Sequence, residues 1–380
     1  MLYVCAALES IGEEVEVFCF DENTAVSEFP SGDIYAYSIS SSASYPLYLS
    51  LAPKLKSKAK IHIAGNTHVT IFPEQVLNEM NLDAVFCGPG EKALTEWVQD
   101  GLKKRGVIKG SIIEELTLPF PARHLLPEKY VYMENRVGGK SKNSISMISS
   151  RGCTFQCRFC AIQNKGRVIY RNTNDFENEV KDILYRYLKC DGITLMDETF
   201  TFNTEHAINV SKVFGKYGLK WECNSRIDTL NEEIIKALSD NNCMEVRIGI
   251  ETGSQKLLNL MSKGFDIDEA YETLVKIKLS GLKVKIYLMH GYPGEDSTTT
   301  NDTISFLQKV KPYIDRVSLY RFTPLPGSKV FDDCNLNIKD WSKYSIYNEG
   351  VQWWGTKAQY DEMDAAYYEL KKIVDTINNK

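Results

Sequence analysis

Residues 151–163 read RGCTFQCRFCAIQ and directly follow SISMISS at 144–150, a short apolar stretch typical of a β-strand. The cysteines Cys153, Cys157 and Cys160 fall within eight positions, with the spacing Cys-x3-Cys-x2-Cys. Structural zinc is closed by four ligands, and no fourth ligand lies close by. An iron–sulfur cubane that is held by three cysteines keeps one iron open, and an open metal position can take part in chemistry. The stretch therefore predicts a cluster whose free iron binds a cofactor or a substrate.

The cysteine stretch belongs to a series of six strand candidates, each separated from the next by a helical segment. They lie at 144–150, 192–198, 219–225, 244–251, 282–290 and 315–322. This alternation predicts a parallel α/β sheet. Six units are too few for the closed eight-unit barrel, so we expect a partial, open barrel over residues 144–322. The active site should then lie at the carboxyl ends of the strands, where the cysteine loop begins.

The N-terminal part of the chain shows a second, shorter series. Strands are predicted at 15–21, 33–40, 59–65 and 82–88, with helical stretches between them, so residues 1–105 predict a Rossmann-like parallel sheet domain. Residues 106–143 contain the proline-rich LPFPARHLLPEKY and predict a linker. Residues 323–380 end in a long helical pattern and predict a C-terminal helical cap.

The composition narrows the class of protein. The chain has 380 residues, 43% of them hydrophobic and 25% charged, as in globular proteins of two or three domains. No apolar run approaches the roughly 20 residues that span a bilayer, so we expect no membrane segment. The net charge of −5 disfavours binding to bulk nucleic acid. Ten cysteines are too few for a disulfide scaffold, and we expect a reducing, cytoplasmic setting.

The cysteine motif, with the aromatic Phe159 just before its third cysteine, resembles the signature of the radical S-adenosylmethionine (SAM) superfamily. The resemblance covers most of residues 144–332. It implies a four-iron four-sulfur cluster whose open iron is chelated by SAM, which is then cleaved reductively to a 5′-deoxyadenosyl radical. It also implies a flavodoxin- or ferredoxin-type reductant and a small-molecule or peptide substrate.

The same resemblance assigns roles to residues at the later strand ends. It places Asp197 and Glu198, in MDETFTFN, beside the amino group of SAM, and Arg226, in WECNSRID, on its carboxylate. Each of these also has an ordinary interpretation, as a solvated acid pair or a structural ion pair.

Two further strand ends complete this assignment. Glu251, at the end of RIGIE, would bond the ribose hydroxyls of SAM. Gly291 and Gly294, in MHGYPGED, would let the backbone approach the nucleoside.

The N-terminal domain resembles that of one subgroup, the radical SAM enzymes with a cobalamin-binding domain. Residues 61–77 and 84–98 are similar to the last two β–α units of that domain. The resemblance places loop residues along the corrin or its tail, namely Ser40 to Ser42, Gly65, His68 and Gly88. Methyl transfer is the reaction expected with cobalamin, and another radical-mediated change without it.

The match to the cobalamin-binding domain is incomplete. The first strand and loop of a complete domain, with any Asp-x-His-x-x-Gly motif, are not found before the helix that starts at Met1. The domain therefore predicts either a cobalamin site or a scaffold derived from one.

Two other functions remain open. A methylthiotransferase that modifies RNA or protein would need a second cluster, for which the N-terminal part offers only Cys5, Cys19 and Cys87, all in apolar runs. A non-enzymatic iron–sulfur sensor or electron carrier would normally complete all four ligands. Bound SAM would distinguish an enzyme from a sensor.

Overall fold

The computed structural model describes residues 1–111, 117–163, 165–334, 340–347 and 351–379. The chain divides into two compact units. The first consists of Met1–Val131, Leu325–Gly327 and Asn335–Ser345, and the second of Tyr132–Pro324, Ser328–Cys334 and Ile346–Lys380. Residues 323–380, which we predicted as one cap, are thus shared between the two units.

The first unit is built on a four-stranded parallel sheet, in the order β1-β2-β3-β4. Its strands are β1 (Ile34–Ser38), β2 (Ile61–Gly65), β3 (Ala84–Cys87) and β4 (Gly106–Lys109). Its helices are α1 (Leu2–Glu9), α2 (Tyr45–Leu51), α3 (Thr67–Ile71), α4 (Pro73–Glu79), α5 (Glu91–Gln99) and α6 (Glu128–Val131). The predicted parallel α/β class is confirmed for this part of the chain.

The strand β4 lies at the start of the segment that we predicted to be an irregular linker. Its residues pair with β3 from Ala84↔Gly106 to Cys87↔Lys109, and Ile108 is buried in the core of the unit. Four residues are too few to show a period of two, so this strand could not be predicted from the sequence pattern. Residues 112–116 of the predicted linker lie outside the described residues.

The predicted strand at 15–21 is wrong, because residues 13–21 have no regular secondary structure. Val15 and Val17 instead pack against a small core of Cys5, Ala6 and Ala122. A strand needs a neighbour that pairs with its backbone N–H and C=O groups, and no described strand lies beside this stretch. The apolar alternation therefore reports burial here and not a strand.

The second unit is built on a six-stranded parallel sheet in the order β12-β11-β10-β9-β8-β5, with a small antiparallel pair, β6 and β7, beside it. The strands are β5 (Ser144–Met147), β6 (Ser150–Arg151), β7 (Ile169–Tyr170), β8 (Gly192–Leu195), β9 (Trp221–Ser225), β10 (Cys243–Glu251), β11 (Lys283–His290) and β12 (Arg316–Arg321). All six predicted strands are present, and the predicted partial-barrel class is confirmed.

Helices alternate with these strands along the chain. They are α7 (Thr173–Arg186), α8 (Thr204–Lys216), α9 (Glu232–Asp240), α10 (Gln255–Leu260), α11 (Ile267–Leu279), α12 (Ser297–Val310), α13 (Lys329–Asp333) and α14 (Lys357–Asn378). Short 3₁₀ turns occur in both units, at Val26–Glu28, Ser42–Ser44, Ala52–Lys58, Arg123–Leu125, Phe200–Phe202, Ile227–Thr229 and Trp341–Lys343. Among the described residues, no helix combines the length and the apolar character that crossing a membrane requires.

Strand β11 shows how the sheet separates its two faces. Burial alternates along KVKIYLMH, with Val284, Ile286 and Leu288 buried in the packed core. The residues between them, including Lys285 and Tyr287, lie on the opposite face because successive side chains of a strand alternate. The interior of the partial barrel is therefore polar, and the loop that carries the three cysteines follows β5 at the carboxyl end of this sheet.

Candidate functional site

The three cysteine side chains line one cavity of about 220 Å³ in the second unit. Cys153 and Cys157 are buried, and Cys160 is partly exposed. Burial raises the pKa of the Cys160 thiol. The sulfur of Cys153 lies 3.7 Å from the Thr199 hydroxyl, so the loop also contacts the segment that follows strand β8. The sequence-predicted cysteines are thus brought together around a common space.

The three thiols share one cavity, as a cluster with three protein ligands requires. Among the described residues, no three His, Cys, Asp or Glu side chains are grouped as ligands of one metal ion. A four-iron cluster binds each thiolate to a different iron, so its ligands stand farther apart around a larger space. Three thiols that line a cavity fit that arrangement.

Arg226 lies directly after β9 and its guanidinium is held on several sides. It donates to both carboxylate oxygens of Asp228, at 3.0 and 2.8 Å, and stacks 3.6 Å above the ring of Phe155. Its Nη2 donates to the carbonyl of Lys263, and its Nη1 lies 3.3 Å from the sulfur of Cys157. The structure thus places Arg226 in the cavity wall and against a cysteine, with much of its donor capacity already used.

Asp197 and Glu198 are neighbours in sequence but lie in different surroundings. Asp197 is fully buried, does not line the cavity, and accepts hydrogen bonds from the backbone and hydroxyl of Ser149 at 2.7 and 2.6 Å and from the Ser150 hydroxyl. Burial raises its pKa to about 6. Glu198 lines the cavity and accepts from the Gly152 N–H at 3.1 Å. Asp197 therefore fixes the residues before the cysteine loop, whereas Glu198 faces the space.

Glu251 ends strand β10 in an unusual backbone conformation. Its φ is +70°, and the pairing with β11 shifts register between Gly249 and Glu251. A non-glycine residue in this region is uncommon and often marks a functional position. The shift turns the Glu251 carboxylate into the cavity beside Lys263.

Lys263 is a site residue that the sequence did not single out. It is only 4% exposed, yet its ammonium donates to the Gly249 carbonyl at 2.8 Å and lies 3.2 Å from a Glu251 oxygen. A buried ammonium is costly unless it is paired, and here it faces the cavity with the cysteines. Within MSKGFD a lysine is indistinguishable from a surface residue, so only the packing reveals it. Other lining residues that the sequence missed are Phe155, Lys165, Thr199, Asn224, Arg247 and Tyr287.

Phe159 lines the same cavity and also packs against a buried apolar group that includes Leu257 and Phe322. Gly291 and Gly294 do not line it. Both have positive φ angles, of 91° and 92°, which favour glycine. The structure therefore brings Phe159 to the cysteines but leaves the two glycines with a backbone role in the loop after β11.

The residues predicted along a corrin are only partly accessible in the first unit. Ser40 is exposed, and Gly65 and Gly88 are partly exposed at strand ends. Gly88 has a φ of 79° and no atom within 4 Å of where a Cβ would stand. These three positions leave room for the close approach of a ligand.

His68 and Ser42 have a different environment. His68 is fully buried, its Nδ1 lies 2.9 Å from the Ser42 hydroxyl, and burial lowers its pKa to about 4. The rings of Tyr45 and Trp341 lie 4.4 and 5.0 Å from its ring. His68 and Ser42 thus pack within an aromatic cluster of the chain itself.

Comparison with known proteins agrees with this fold. Residues 147–307 match the family model of the Radical SAM superfamily. An uncharacterized methyltransferase of Pyrococcus horikoshii is 28% identical over 344 residues, which are 82% of this chain and 72% of that protein. The cytidylyl-2-hydroxyethylphosphonate methyltransferase of Streptomyces wedmorensis is 24% identical over 329 residues, which are 71% of this chain and 60% of that protein.

A solved structure also covers both units. The radical SAM methyltransferase TsrM from Kitasatospora setae, with cobalamin and a [4Fe-4S] cluster bound, superposes with a TM-score of 0.70 at 16% identity. The match covers 88% of this chain and 71% of TsrM. At this identity the likeness establishes the fold: an N-terminal parallel sheet followed by a partial barrel.

Proposed function

We propose a reaction for this chain from the premise that it is an enzyme of the radical SAM type, with its radical SAM domain at residues 147–307. Cys153, Cys157 and Cys160 hold a four-iron four-sulfur cluster, and SAM binds at the iron that they leave open. When bound, the cluster supplies the electron that cleaves SAM reductively to methionine and a 5′-deoxyadenosyl radical. A flavodoxin- or ferredoxin-type protein of the cytoplasm provides that electron.

The cavity wall offers groups of the right charge for the polar ends of SAM. Glu198 and Glu251 present carboxylates to the cavity, and either can bind the SAM ammonium or the ribose hydroxyls. Lys263 presents an ammonium, which can bind the SAM carboxylate. Arg226 is already bonded to Asp228, so we assign the carboxylate to Lys263 first and give Arg226 the task of holding the loop at Cys157.

Methyl transfer is the finer proposal. The two relatives described above are methyltransferases by name, and TsrM, whose fold this chain shares, is a methyltransferase that contains cobalamin. In this chain Ser40, Gly65 and Gly88 would border the cobalamin, which would carry the methyl group. We leave His68 out of the proposed cobalamin site, because its ring packs against Tyr45 and Trp341.

The observation that carries the proposal is the convergence of three thiols, a carboxylate pair and a buried lysine on one cavity. The test is anaerobic reconstitution of the full chain with iron, sulfide and hydroxocobalamin, followed by desalting. Iron content, the corrin absorption band, 5′-deoxyadenosine and S-adenosylhomocysteine are then measured after reduction with SAM present. About four irons per chain, a retained corrin band and S-adenosylhomocysteine are expected.

Matched cysteine variants make this test specific. Cys157→Ala should lose the cluster and all SAM cleavage, whereas Cys190→Ala, whose thiol points to the Gly192 carbonyl outside the cavity, should keep both. SAM cleavage by Cys157→Ala would overturn the cluster assignment. Four irons and 5′-deoxyadenosine without corrin would leave the radical chemistry in place and remove cobalamin-dependent methyl transfer.

The methylthiotransferase alternative receives no support from the first unit. Cys5 packs against Ala6 and Ala122, and the thiol of Cys87 points to the Val69 carbonyl at 3.8 Å. These two thiols are engaged in separate surroundings, whereas a second cluster needs converging ones.

A further inference from the structure

Three cations form a continuous row across the interior face of the partial barrel. The strand register pairs Arg247 of β10 with Lys285 of β11, and Lys285 with Arg316 of β12. Paired residues of neighbouring parallel strands point to the same face, about 4.8 Å apart. Arg247 lines the cavity with the cysteines, so the row faces the interior. Like charges directly opposite one another destabilise a sheet, and a row of three therefore requires negative charge nearby.

The two outer cations, Arg247 and Arg316, are paired with carboxylates, but the middle one, Lys285, is not. Glu245 accepts from Arg316 at 2.9 and 2.6 Å and also lies 3.3 Å from the Nε of Arg247. Arg247 is further paired with Glu222. Within the described residues, neither carboxylate forms an ion pair with Lys285. These two carboxylates balance the charge of only two of the three cations in the row, which leaves one positive charge in excess.

The Lys285 ammonium lies beside a residue of the cysteine cavity. It is 5.1 Å from the ring centre of Tyr287, which lines the cavity. Towards the amino ends of the strands, the Gly138 N–H donates to Glu222 at 3.4 Å, and Gly139 stands directly against the Arg316 side chain. Backbone and ion pairs therefore fill the interior below the row.

The next row of the sheet above Lys285 is polar. Towards the carboxyl ends, the register places Gly249, Tyr287 and Ser318 side by side on the same face. Tyr287 and Ser318 provide hydroxyl donors on the side of Lys285 that faces the cysteine cavity, and the Glu251 carboxylate and the Lys263 ammonium occupy the space at Gly249. Burial and the two neighbouring arginines also lower the pKa of Lys285, which is the direction expected for a cation that lacks its partner.

We propose that Lys285 binds an oxyanion of the substrate, a carboxylate or phosphate group, with the hydroxyls of Tyr287 and Ser318 as further donors. The identification of this oxyanion as part of the substrate rests on the proposed function. It narrows the substrate class to an acidic small molecule that enters the barrel interior with its charged end towards Lys285. The bound oxyanion supplies the negative charge that the row of cations lacks.

The test uses inorganic phosphate and malonate as probes on the full chain, before any cluster is reconstituted. Binding is measured by titration calorimetry at constant ionic strength, with sodium chloride as the balancing salt. The wild-type chain should bind at least one probe saturably, and the stronger probe shows whether a phosphate or a carboxylate fits. Lys285→Gln should weaken that binding at least about tenfold, since a hydrogen bond to a charged group is lost, and Lys285→Arg should retain most of it.

The control is Lys236→Gln, which removes the same charge from an exposed lysine that pairs with Asp240 and should leave probe binding unchanged. Lys285→Gln should unfold at an unchanged or higher urea concentration, because the row of like charges is relieved. Equal binding by Lys285→Gln and wild type, the absence of saturable binding to both probes, or a lowered urea midpoint would each overturn the proposal. Because the measurement needs neither iron nor SAM, failure of the cluster assignment would not affect it.

Discussion

A buried pair of residues should make two opposite contributions to the pH dependence of stability. Asp197 accepts from the Ser149 hydroxyl at 2.6 Å, and the Nε2 of His206 lies 2.9 Å from the same hydroxyl. The Ser149 hydroxyl uses its single proton in the hydrogen bond to Asp197. The Ser149 oxygen must therefore accept a hydrogen bond from the Nε2–H of His206. One serine thus couples a buried acid to a buried base directly before the cysteine loop.

Asp197 should stabilise the fold as the pH falls. Burial raises its pKa from the ordinary 3.8 to about 6, so the folded chain binds the proton more tightly than the unfolded chain. This contribution is fully present below about pH 3.8 and is lost as the pH rises through 6. With about 1.4 kcal/mol for each pKa unit, the gain between pH 7 and pH 4.5 is about 2 kcal/mol.

His206 should act in the opposite direction. Burial lowers its pKa from 6.5 to about 4, so the unfolded chain binds the proton more tightly. The contribution of the neutral ring is present above about pH 6.5 and is lost as the pH falls towards 4. The loss between pH 7 and pH 4.5 is again about 2 kcal/mol, and the two effects nearly cancel in the wild-type chain.

Non-titrating replacements should separate the two effects. The free energy of unfolding is measured by urea denaturation of the full chain at about pH 7 and pH 4.5, followed by circular dichroism. Asp197→Asn should lose about 2 kcal/mol more than wild type on acidification, and His206→Gln should lose about 2 kcal/mol less. Other groups, including His68, are common to all the proteins and cancel in the comparison. The same pH response in both variants and in wild type would refute the assignment of the pair.

Two further predictions concern packing. Gly249→Ala should weaken SAM binding to the reconstituted chain about 10- to 100-fold in equilibrium dialysis, because a Cβ would overlap the Glu251 carboxylate and lie 3.4 Å from the Lys263 ammonium. The matched control is Gly32→Ala, where the atom nearest to the added Cβ is 3.8 Å away, and equal effects of the two substitutions on SAM binding would contradict the prediction. Trp341→Ala should lower the free energy of unfolding, measured in urea, by about 3–5 kcal/mol, because it removes a buried ring beside His68 and Phe72. The control, Tyr347→Ala, changes a side chain that is 78% exposed and should alter this free energy by less than about 0.5 kcal/mol. A similarly small loss in Trp341→Ala would show that the aromatic cluster contributes little to stability.

The amino-acid sequence alone predicts the cysteine motif, the series of six strand–helix units whose first strand precedes that motif, and the parallel sheet of the first unit. These features are local: a spacing of three thiols and a period of burial are both carried by consecutive residues. Local signals failed where the outcome depended on a partner strand. Residues 15–21 have the pattern of a strand but no described neighbour, whereas residues 106–109 have no clear pattern and still pair with β3.

Which polar residues share the cavity depends on how distant segments pack together. Asp197 and Glu198 are consecutive acids, yet one is enclosed by Ser149 and Ser150 and the other faces the thiols. Lys263 joins Glu251 because a register shift in β10 turns that carboxylate inwards. Consecutive side chains at a strand end point in different directions, and what each one meets depends on segments that are distant in sequence. Residue type and spacing can therefore nominate a site, but the packing of those segments selects its members.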